Sequence, residues 1–236
     1  MIRATDIVIG YSALRQAQGP VKPVGVLRPF DRLTAAQAQG LGRTVGEHVE
    51  PPAVAGPLSF SYTDGECVML RGRNGSGKTT LMKTLAGLLP PISGSFETGG
   101  KAILVPTRIP KVRGFTVEEF VRAGTLSEYG AFRRLDEYSK KAIDDAIAMM
   151  ELGDLAAKDI SRVSDGEFQK ACIAAALTRK ANVLMLDEPT AFLDVENRVM
   201  VLQTLQRLAH ETGATVIFST HDIHDGALFS DSVLAL

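Results

Sequence analysis

The chain has 236 residues, which is long enough for one α/β domain with a substantial core. Its formal net charge is −1 with 22% charged residues, so the composition does not suggest a surface dedicated to nucleic acid. No stretch approaches the ~20 consecutive apolar residues that cross a bilayer, and the first residues are too polar for a signal peptide. We expect a cytoplasmic protein in which the two cysteines, Cys67 and Cys172, are buried free thiols.

Strand-like and helix-like segments alternate along most of the chain, which predicts a doubly wound α/β domain. Residues 12–57 interrupt this order: they are rich in Gln, Ala, Gly and Pro, and they contain the near repeat RQAQG and AQAQG. A stretch of that length without hydrophobic periodicity indicates a flexible surface insertion. Residues 108–163 have a helical pattern, clearest over Ile143–Met150, and predict a separate helical lobe. The other predicted elements are strands over 2–10, 58–62, 67–71, 181–189, 214–221 and 232–236, helices after Lys78, before Gly213 and over 222–230, and a hairpin over 92–106.

The segment GRNGSGKTT fits the pattern G-x-x-x-x-G-K-[ST], between an apolar strand and a helix. Its glycines let the backbone N–H groups point inward, and the helix N-terminus adds positive charge, so the loop is suited to a polyphosphate. Lys78 is then expected to reach the β- and γ-phosphates, and the Thr79 hydroxyl to bind Mg²⁺. A glycine-rich turn without a ligand is the alternative, but all four fixed positions and both flanks match. The candidate nucleotide-binding residues here are Gly72, Arg73, Asn74, Gly75, Ser76, Gly77, Lys78, Thr79 and Thr80.

Two later strands end in groups that suit phosphate chemistry. The apolar strand VLMLDE ends in Asp187, a candidate Mg²⁺ ligand, and Glu188, a candidate general base for the attacking water. An ordinary acidic strand end is the alternative for this pair. His221 follows the strand VIFST, and its ring could contact the γ-phosphate and hold the geometry of Glu188 and water. His210, on an exposed helix face, and His48 are expected to be solvated.

The sequence SDGE precedes an Ala-rich helix. Ser164, Gly166 and Glu167 at this helix N-terminus are candidates for a second anion-binding site. Taken by itself, the pattern is a good helix cap. The order of the motifs along the chain is what favours phosphate binding by this helix start.

That order is phosphate loop, helical lobe, SDGE, Asp-Glu strand, AFLD and STHD, and it resembles the ATP-binding subunits of ABC transporters outside the insertion. The resemblance implies a P-loop NTPase (ABC ATPase) fold with an antiparallel β subdomain and an inserted helical lobe. Residues 164–167 match the family's signature, usually SGGQ, which binds the γ-phosphate held by the opposite subunit. Phe192–Asp194 match the D-loop, Glu188 the catalytic glutamate and His221 the switch histidine. Tyr11 stands where the family has an aromatic that stacks on adenine, with a core tyrosine as the alternative.

Within the family, the chain looks most like importers for iron–siderophore, haem or cobalamin complexes, in particular the Bacteroidetes-type branch. This resemblance implies an ATPase with ATP and Mg²⁺ as cofactors, assembled as a head-to-tail homodimer. It also implies a membrane permease as partner, contacted through the helical lobe around 106–121, and a periplasmic binding protein that takes part indirectly. The subunit would then lie in the cytoplasm, peripheral to the inner membrane, without a nucleic-acid partner.

Three features depart from the family pattern. Thr107 stands where the family has a glutamine that helps to coordinate Mg²⁺, so it is a further candidate ligand with a shorter reach. The 12–57 insertion replaces a short turn, and relatives usually continue beyond the position of Leu236. These departures keep two alternatives open: a regulatory ABC subunit with weak hydrolysis, or the ATPase of another transporter class. A repair or translation ATPase is disfavoured because the chain has one phosphate loop and no sustained heptads.

Overall fold

The computed structural model describes residues 1–10, 53–125 and 137–236. Within these ranges, no helix has the length and apolarity required to pass through a membrane. The strands are β1 (Ile2–Gly10), β2 (Ala53–Tyr62), β3 (Cys67–Arg71), β4 (Ser93–Glu97), β5 (Ala102–Val105), β6 (Val183–Leu186), β7 (Thr215–Ser219) and β8 (Ser232–Ala235). The α-helices are α1 (Lys78–Leu85), α2 (Val117–Ala123), α3 (Glu137–Met149), α4 (Asp165–Leu177), α5 (Val195–Thr212) and α6 (Ile223–Leu228), with 3₁₀ turns at Gly153–Leu155 and Ile160–Arg162.

The strands form two sheets. Five parallel strands lie in the order β5-β6-β7-β3-β8, and β1 pairs antiparallel with both β2 and β4 in a three-stranded sheet. The prediction of a mostly parallel core with an antiparallel β subdomain is therefore confirmed. Strand β7 lies between β6 and β3, so the segments that follow these three strands emerge at one edge of the sheet.

The central strands are apolar because both faces of the parallel sheet are covered. In β6, Leu184 and Leu186 face a cluster that includes residues of α4 and α5, whereas Val183 and Met185 face a cluster that includes α1 and β1. All four side chains are buried. This two-sided burial holds the carboxyl end of β6 in place.

Part of the predicted helical region 108–163 lies within the described residues. It contains α2 and α3, which pack against α4 and against each other. Helix α2 begins with a capping box, in which Thr116 Oγ1 accepts from Glu119 N at 3.1 Å and the Glu119 carboxylate accepts from Thr116 N at 2.9 Å. Each of these bonds satisfies an N–H group that the helix start leaves unpaired.

The predicted hairpin over 92–106 is wrong. Strand β4 pairs with β1 and strand β5 pairs with β6, so the chain crosses from one sheet to the other between them. Gly100, with φ of 151°, lies in this crossing, and a Cβ there would be only 2.3 Å from Asn182 Oδ1. The four residues of β5 are all buried, which suits a parallel strand covered on both faces better than a hairpin strand.

Three other expectations concern the predicted insertion and the histidines. Strand β2 begins at Ala53, so the last residues of the predicted 12–57 insertion belong to that strand. The rest of the insertion, with Tyr11 and His48, lies outside the described residues. His210 is exposed to solvent, as expected, and its Nε2 also lies 2.9 Å and 3.1 Å from the two carboxylate oxygens of Asp231, a contact that the sequence did not predict.

Both cysteines are buried free thiols, as expected from their apolar surroundings. Burial raises the pKa of Cys67 to about 12, with a smaller contribution from the nearby Asp231 carboxylate. Burial alone raises the pKa of Cys172 to about 12. These thiols are therefore packing groups rather than nucleophiles.

Candidate nucleotide-binding site

The phosphate loop, residues 72–80, connects β3 to α1 as predicted. Gly77 precedes the helix with φ of 100°, a left-handed conformation that favours glycine. A Cβ at this position would lie 3.0 Å from Val54 Cγ1 and 3.3 Å from Ile9 Cδ1. The antiparallel sheet thus packs directly against the loop, and the positive φ and the close side chains together favour glycine at this position.

Lys78 lies inside this loop and is only 7% exposed. Its Nζ donates to the carbonyl oxygen of Gly72 at 2.7 Å and to that of Arg73 at 3.2 Å. The Arg73 carbonyl also accepts from Ser76 N at 3.1 Å, which closes the turn. A buried ammonium requires such partners, so the loop already presents a cation at its centre.

The other residues of the loop differ in exposure. Asn74 and Gly75 are exposed at its tip, Thr79 is exposed at the first turn of α1, and Thr80 is buried. Nothing lies within 4 Å of a Cβ built on Gly75, so that glycine is required for its φ of 80° rather than for space. The open tip leaves room for a ligand to reach the loop.

Asp187 comes directly after β6 and faces this loop. Thr79 Oγ1 donates to Asp187 Oδ2 at 2.7 Å, and Ser219 Oγ donates to Asp187 Oδ1 at 2.9 Å. The carboxylate is buried, and its backbone N–H donates to the carbonyl of Val105. The contact between Thr79 and Asp187 joins two of the residues predicted from separate motifs.

Sequence reasoning missed Ser219. Its hydroxyl donates to Asp187 and also accepts from Glu188 N at 2.9 Å, so one buried side chain holds both acidic residues. The sequence does show a hydroxyl residue at the end of the apolar strand TVIFS. That residue can be assigned to the site only when β7 is known to lie beside β6, as the pairing of Leu186 with Phe218 shows.

Glu188 and His221 meet at the same sheet edge. Glu188 Oε1 lies 2.5 Å from His221 Nε2, and Glu188 has φ of 53°, in the left-handed region. A non-glycine residue there costs roughly 1 kcal/mol, and such conformations cluster at functional sites. The carboxylate is partly buried, whereas the imidazole is half-exposed. The pair therefore faces solvent on the histidine side.

An open cleft of about 540 Å³ lies beside this pair. Its lining residues are Glu188, Thr190, Ala191, Arg198, Thr220, His221 and Asp222. Arg198, which sequence reasoning also missed, donates from Nη1 to Asp222 Oδ2 at 2.5 Å. This ion pair ties helix α5 to the residue after His221.

The donor set around Thr79 and Asp187 fits a magnesium ion. A hydroxyl and a carboxylate are the hard oxygen ligands that Mg²⁺ prefers, and here they are brought together. Thr107 lies two residues after β5, whose last residue Val105 pairs with Leu186 next to Asp187. The register therefore places Thr107 near the same edge of the sheet, where it is half-buried.

Residues 164–167 form a capping box at the start of α4. Ser164 Oγ accepts from Glu167 N at 3.1 Å, and the Glu167 carboxylate accepts from Ser164 N at 2.6 Å. A Cβ on Gly166 would lie 3.0 Å from the carbonyl oxygen of Phe192 and 3.1 Å from Leu193 Cδ2, so this helix start packs against Phe192 and Leu193. The cap read from the local sequence is therefore present, and the structure brings two of the matched motifs into contact.

A phosphate loop facing an acidic strand end, in a parallel sheet with β7 between the two strands, defines a P-loop nucleotide triphosphatase. The family model for ABC transporters matches residues 55–191, which is more than half of the chain. The chain therefore belongs to the ABC transporter family and is an ATPase domain of that family.

Known relatives of the chain include metal-uptake proteins. The iron(3+)-hydroxamate import ATP-binding protein FhuC of Bacillus subtilis (strain 168) is 30% identical over 217 residues, covering 86% of this chain and 79% of that protein. The high-affinity zinc uptake system ATP-binding protein ZnuC of the same organism is 34% identical over 190 residues, covering 76% and 82%.

Two solved structures share the fold. One, from a metal-chelate type ABC transporter in an inward-facing conformation, has a TM-score of 0.75 at 23% identity and covers 100% of this chain and 79% of that chain. The other, a dimeric post-hydrolysis state of the ATP-binding cassette MJ0796 bound to ADP and Pi, has a TM-score of 0.73 at 20% identity and covers 100% and 94%.

Proposed function

We propose that this chain is the ATP-hydrolysing subunit of an importer, which powers uptake of an iron complex (siderophore or haem) or cobalamin through a membrane permease. The observation that carries the catalytic part is the convergence of Thr79, Asp187, Glu188 and His221 at one edge of the parallel sheet. The similarity to an iron-hydroxamate import protein supports the choice of cargo.

The phosphate loop binds the triphosphate of ATP in this proposal. The N–H groups of residues 72–80 and the N-terminus of α1 face the phosphates, which is the usual use of such a loop. Lys78 exchanges its contacts with the carbonyls of Gly72 and Arg73 for the β- and γ-phosphates. Tyr11, outside the described residues, is proposed to stack on the adenine.

Thr79 and Asp187 would hold Mg²⁺, with Thr107 as a third candidate. When bound, the ion neutralises charge on the transferring phosphoryl group. Asp187 is prepared for this role because Ser219 holds its second carboxylate oxygen and fixes the orientation of the group. Thr79 lies in the first turn of α1, and its hydroxyl already contacts Asp187.

Glu188 acts as the general base. It accepts a proton from the attacking water as the water oxygen bonds to the γ-phosphorus and the bond to the ADP oxygen breaks. The hydrogen bond from His221 Nε2 and the backbone bond to Ser219 orient the carboxylate. Lys78 stabilises the negative charge of the transition state.

The second half of each site comes from another copy of the chain, in a head-to-tail homodimer. Ser164, Gly166 and Glu167 lie at the start of α4 and are proposed to meet the γ-phosphate held by the partner. Ser164 Oγ accepts from Glu167 N, and its hydroxyl proton, which also interacts with the Glu167 carboxylate, would turn toward the phosphate. Phe192, 43% exposed, and Val195, 66% exposed, add an apolar surface beside it. Closure around ATP would exclude water and complete the site.

The membrane partner is proposed to dock on residues 106–121 and to place the subunit at the cytoplasmic side of the inner membrane. A periplasmic binding protein would deliver the cargo to the permease, without touching this chain. The zinc relative makes free Zn²⁺ the competing cargo, and weak hydrolysis caused by Thr107 is the competing enzymatic outcome.

A deletion strain distinguishes these cargoes. Cells that lack the gene should lose uptake of ⁵⁵Fe-hydroxamate and keep uptake of ⁶⁵Zn²⁺, and the wild-type gene but not Glu188→Gln should restore the iron uptake. Loss of ⁶⁵Zn²⁺ uptake instead would assign zinc. Restoration by Glu188→Gln would contradict the proposed role of hydrolysis.

A further inference from the structure

The signature of this chain, residues 164–167, is unusually acidic. Where the family pattern is SGGQ, this chain has Asp165 and Glu167 in the second and fourth places. Both carboxylates lie at a helix start that is proposed to receive the γ-phosphate of the partner's ATP. The repulsion between these carboxylates and a phosphate rises as the distance between them falls, so the negative charge of the signature has to be compensated.

Glu167 is compensated within the capping box itself. Its carboxylate accepts from Ser164 N at 2.6 Å, and this bond is the main reason that the pKa of Glu167 lies below its usual range. Lys158 and Lys170 lower it further through their charges. The Glu167 side chain is therefore folded back onto its own helix start and held there.

Asp165 is compensated from a different part of the chain. Its Oδ1 lies 2.8 Å from Nζ of Lys111, in the segment that leads from β5 to α2. The same ammonium donates to the carbonyl oxygen of Val163 at 2.7 Å and lies 5.6 Å from the centre of the Phe168 ring. The first two contacts are with the residues immediately before and after Ser164, and the third is with the next turn of α4, so together they fix the lysine head relative to the Ser164 hydroxyl.

The burial of the two partners is unequal. The side chain of Lys111 is 27% exposed, whereas that of Asp165 is 74% exposed. An exposed ion pair contributes little to folding, because water and salt screen it and side-chain entropy opposes it. Its charge matters more once a phosphate and a partner subunit displace the water around it.

We propose that Lys111 is a positioning residue of the signature, which neutralises Asp165 and holds the Val163–Asp165 turn so that a partner's γ-phosphate can approach Ser164. This inference rests on the proposed dimer. It predicts that Lys111 is required because Asp165 is present, and that the requirement disappears when Asp165 is replaced by the glycine of the common pattern.

The test measures ATP·Mg²⁺-dependent dimerisation by analytical ultracentrifugation in the full-length Glu188→Gln protein. Adding Lys111→Met should weaken the dimer roughly tenfold, since both sites lose one compensating charge, whereas Lys111→Arg should keep it. Lys140→Met, which removes a charge from the exposed face of α3, is the matched control and should have no effect. Melting temperatures of all variants verify folding.

The second arm repeats the change in an Asp165→Gly background, where Lys111→Met should cost less than twofold. An equal loss in both backgrounds would mean that Lys111 only supports the Val163 carbonyl, and it would overturn the proposal. A Lys111→Met dimer that is as tight as the Glu188→Gln dimer would also overturn the proposal.

A Glu188→Gln protein that binds ATP as a monomer at every concentration would instead contradict the proposed dimer. If Lys111→Met does not fold, Asp165→Asn replaces it and should tighten the dimer; a weaker dimer would contradict the charge argument.

Discussion

The two candidate phosphate-binding segments of this chain both lie at a helix N-terminus, but they differ in how many functional groups surround them. The phosphate loop lies where the two sheets meet, and the Lys78 ammonium lies inside it. Asp187 faces the loop, with its Oδ2 2.7 Å from Thr79 Oγ1. The signature is a helix start whose own side chains, Ser164 and Glu167, form its cap. The first segment has its proposed catalytic groups around it in one subunit, whereas the second has a cap and a lysine and is proposed to receive a partner's phosphate.

This difference predicts that damage to the phosphate loop removes binding, whereas damage to the signature removes assembly. In the loop, Gly77 packs against β1 and β2, and Lys78 is buried. The signature depends on local hydrogen bonds and on one ion pair from another loop.

Lys78→Ala should weaken ATP binding roughly 100-fold, because it removes the charge-assisted hydrogen bonds proposed for the β- and γ-phosphates. Fluorescent ATP titration measures this loss. Lys83→Ala on the same helix is the matched control and should bind within twofold of the wild type. Equal binding by Lys78→Ala would show that the loop does not hold the phosphates.

Ser219→Ala should reduce turnover about tenfold and lower the free energy of unfolding by about 1–3 kcal/mol, since it leaves an oxygen of buried Asp187 without its donor. Phosphate release and urea unfolding measure the two effects. Thr178→Val removes another buried hydroxyl bond, to the Ala175 carbonyl, and should change stability but not turnover. If both variants keep full turnover, Ser219 does not position the acidic pair.

Glu167 should give the smallest effect, seen as a pH dependence of stability. Its pKa is lowered in the folded state chiefly by the Ser164 N–H, so its contribution is present above the ordinary glutamate pKa and is lost as pH falls through the folded value. Between pH 7 and pH 3 the urea midpoint should fall by about 0.2 M more in the wild type than in Glu167→Gln. Parallel pH curves would show that this bond does not contribute to stability.

Much of this site could be predicted from the sequence because its signals are local. The phosphate loop, the acidic end of β6 and His221 each lie within a few residues of a strand end, and parallel strands bring such ends to one edge. The Ser164 and Glu167 cap depends on a spacing of three residues, which the sequence displays directly.

The parts that could not be predicted depend on contacts between distant segments. Two short strands separated by Gly99 and Gly100 have the local pattern of a hairpin, and only the pairing of β4 with β1 and of β5 with β6 excludes it. Lys111 is 54 positions from Asp165, in a loop without any periodicity. Ser219 and Asp187 likewise meet only through the register of β6 and β7.

In the proposed dimer, two copies of the chain close around ATP, with the phosphate loop of one facing the signature of the other. The most direct measurement is the mass of the Glu188→Gln protein with and without ATP·Mg²⁺, alongside the same protein carrying Ser164→Ala. We expect a dimer only with ATP·Mg²⁺ in Glu188→Gln, and a monomer that still binds ATP once Ser164→Ala is added. A Glu188→Gln protein that hydrolyses ATP at the wild-type rate, or that remains monomeric with ATP bound, would contradict it.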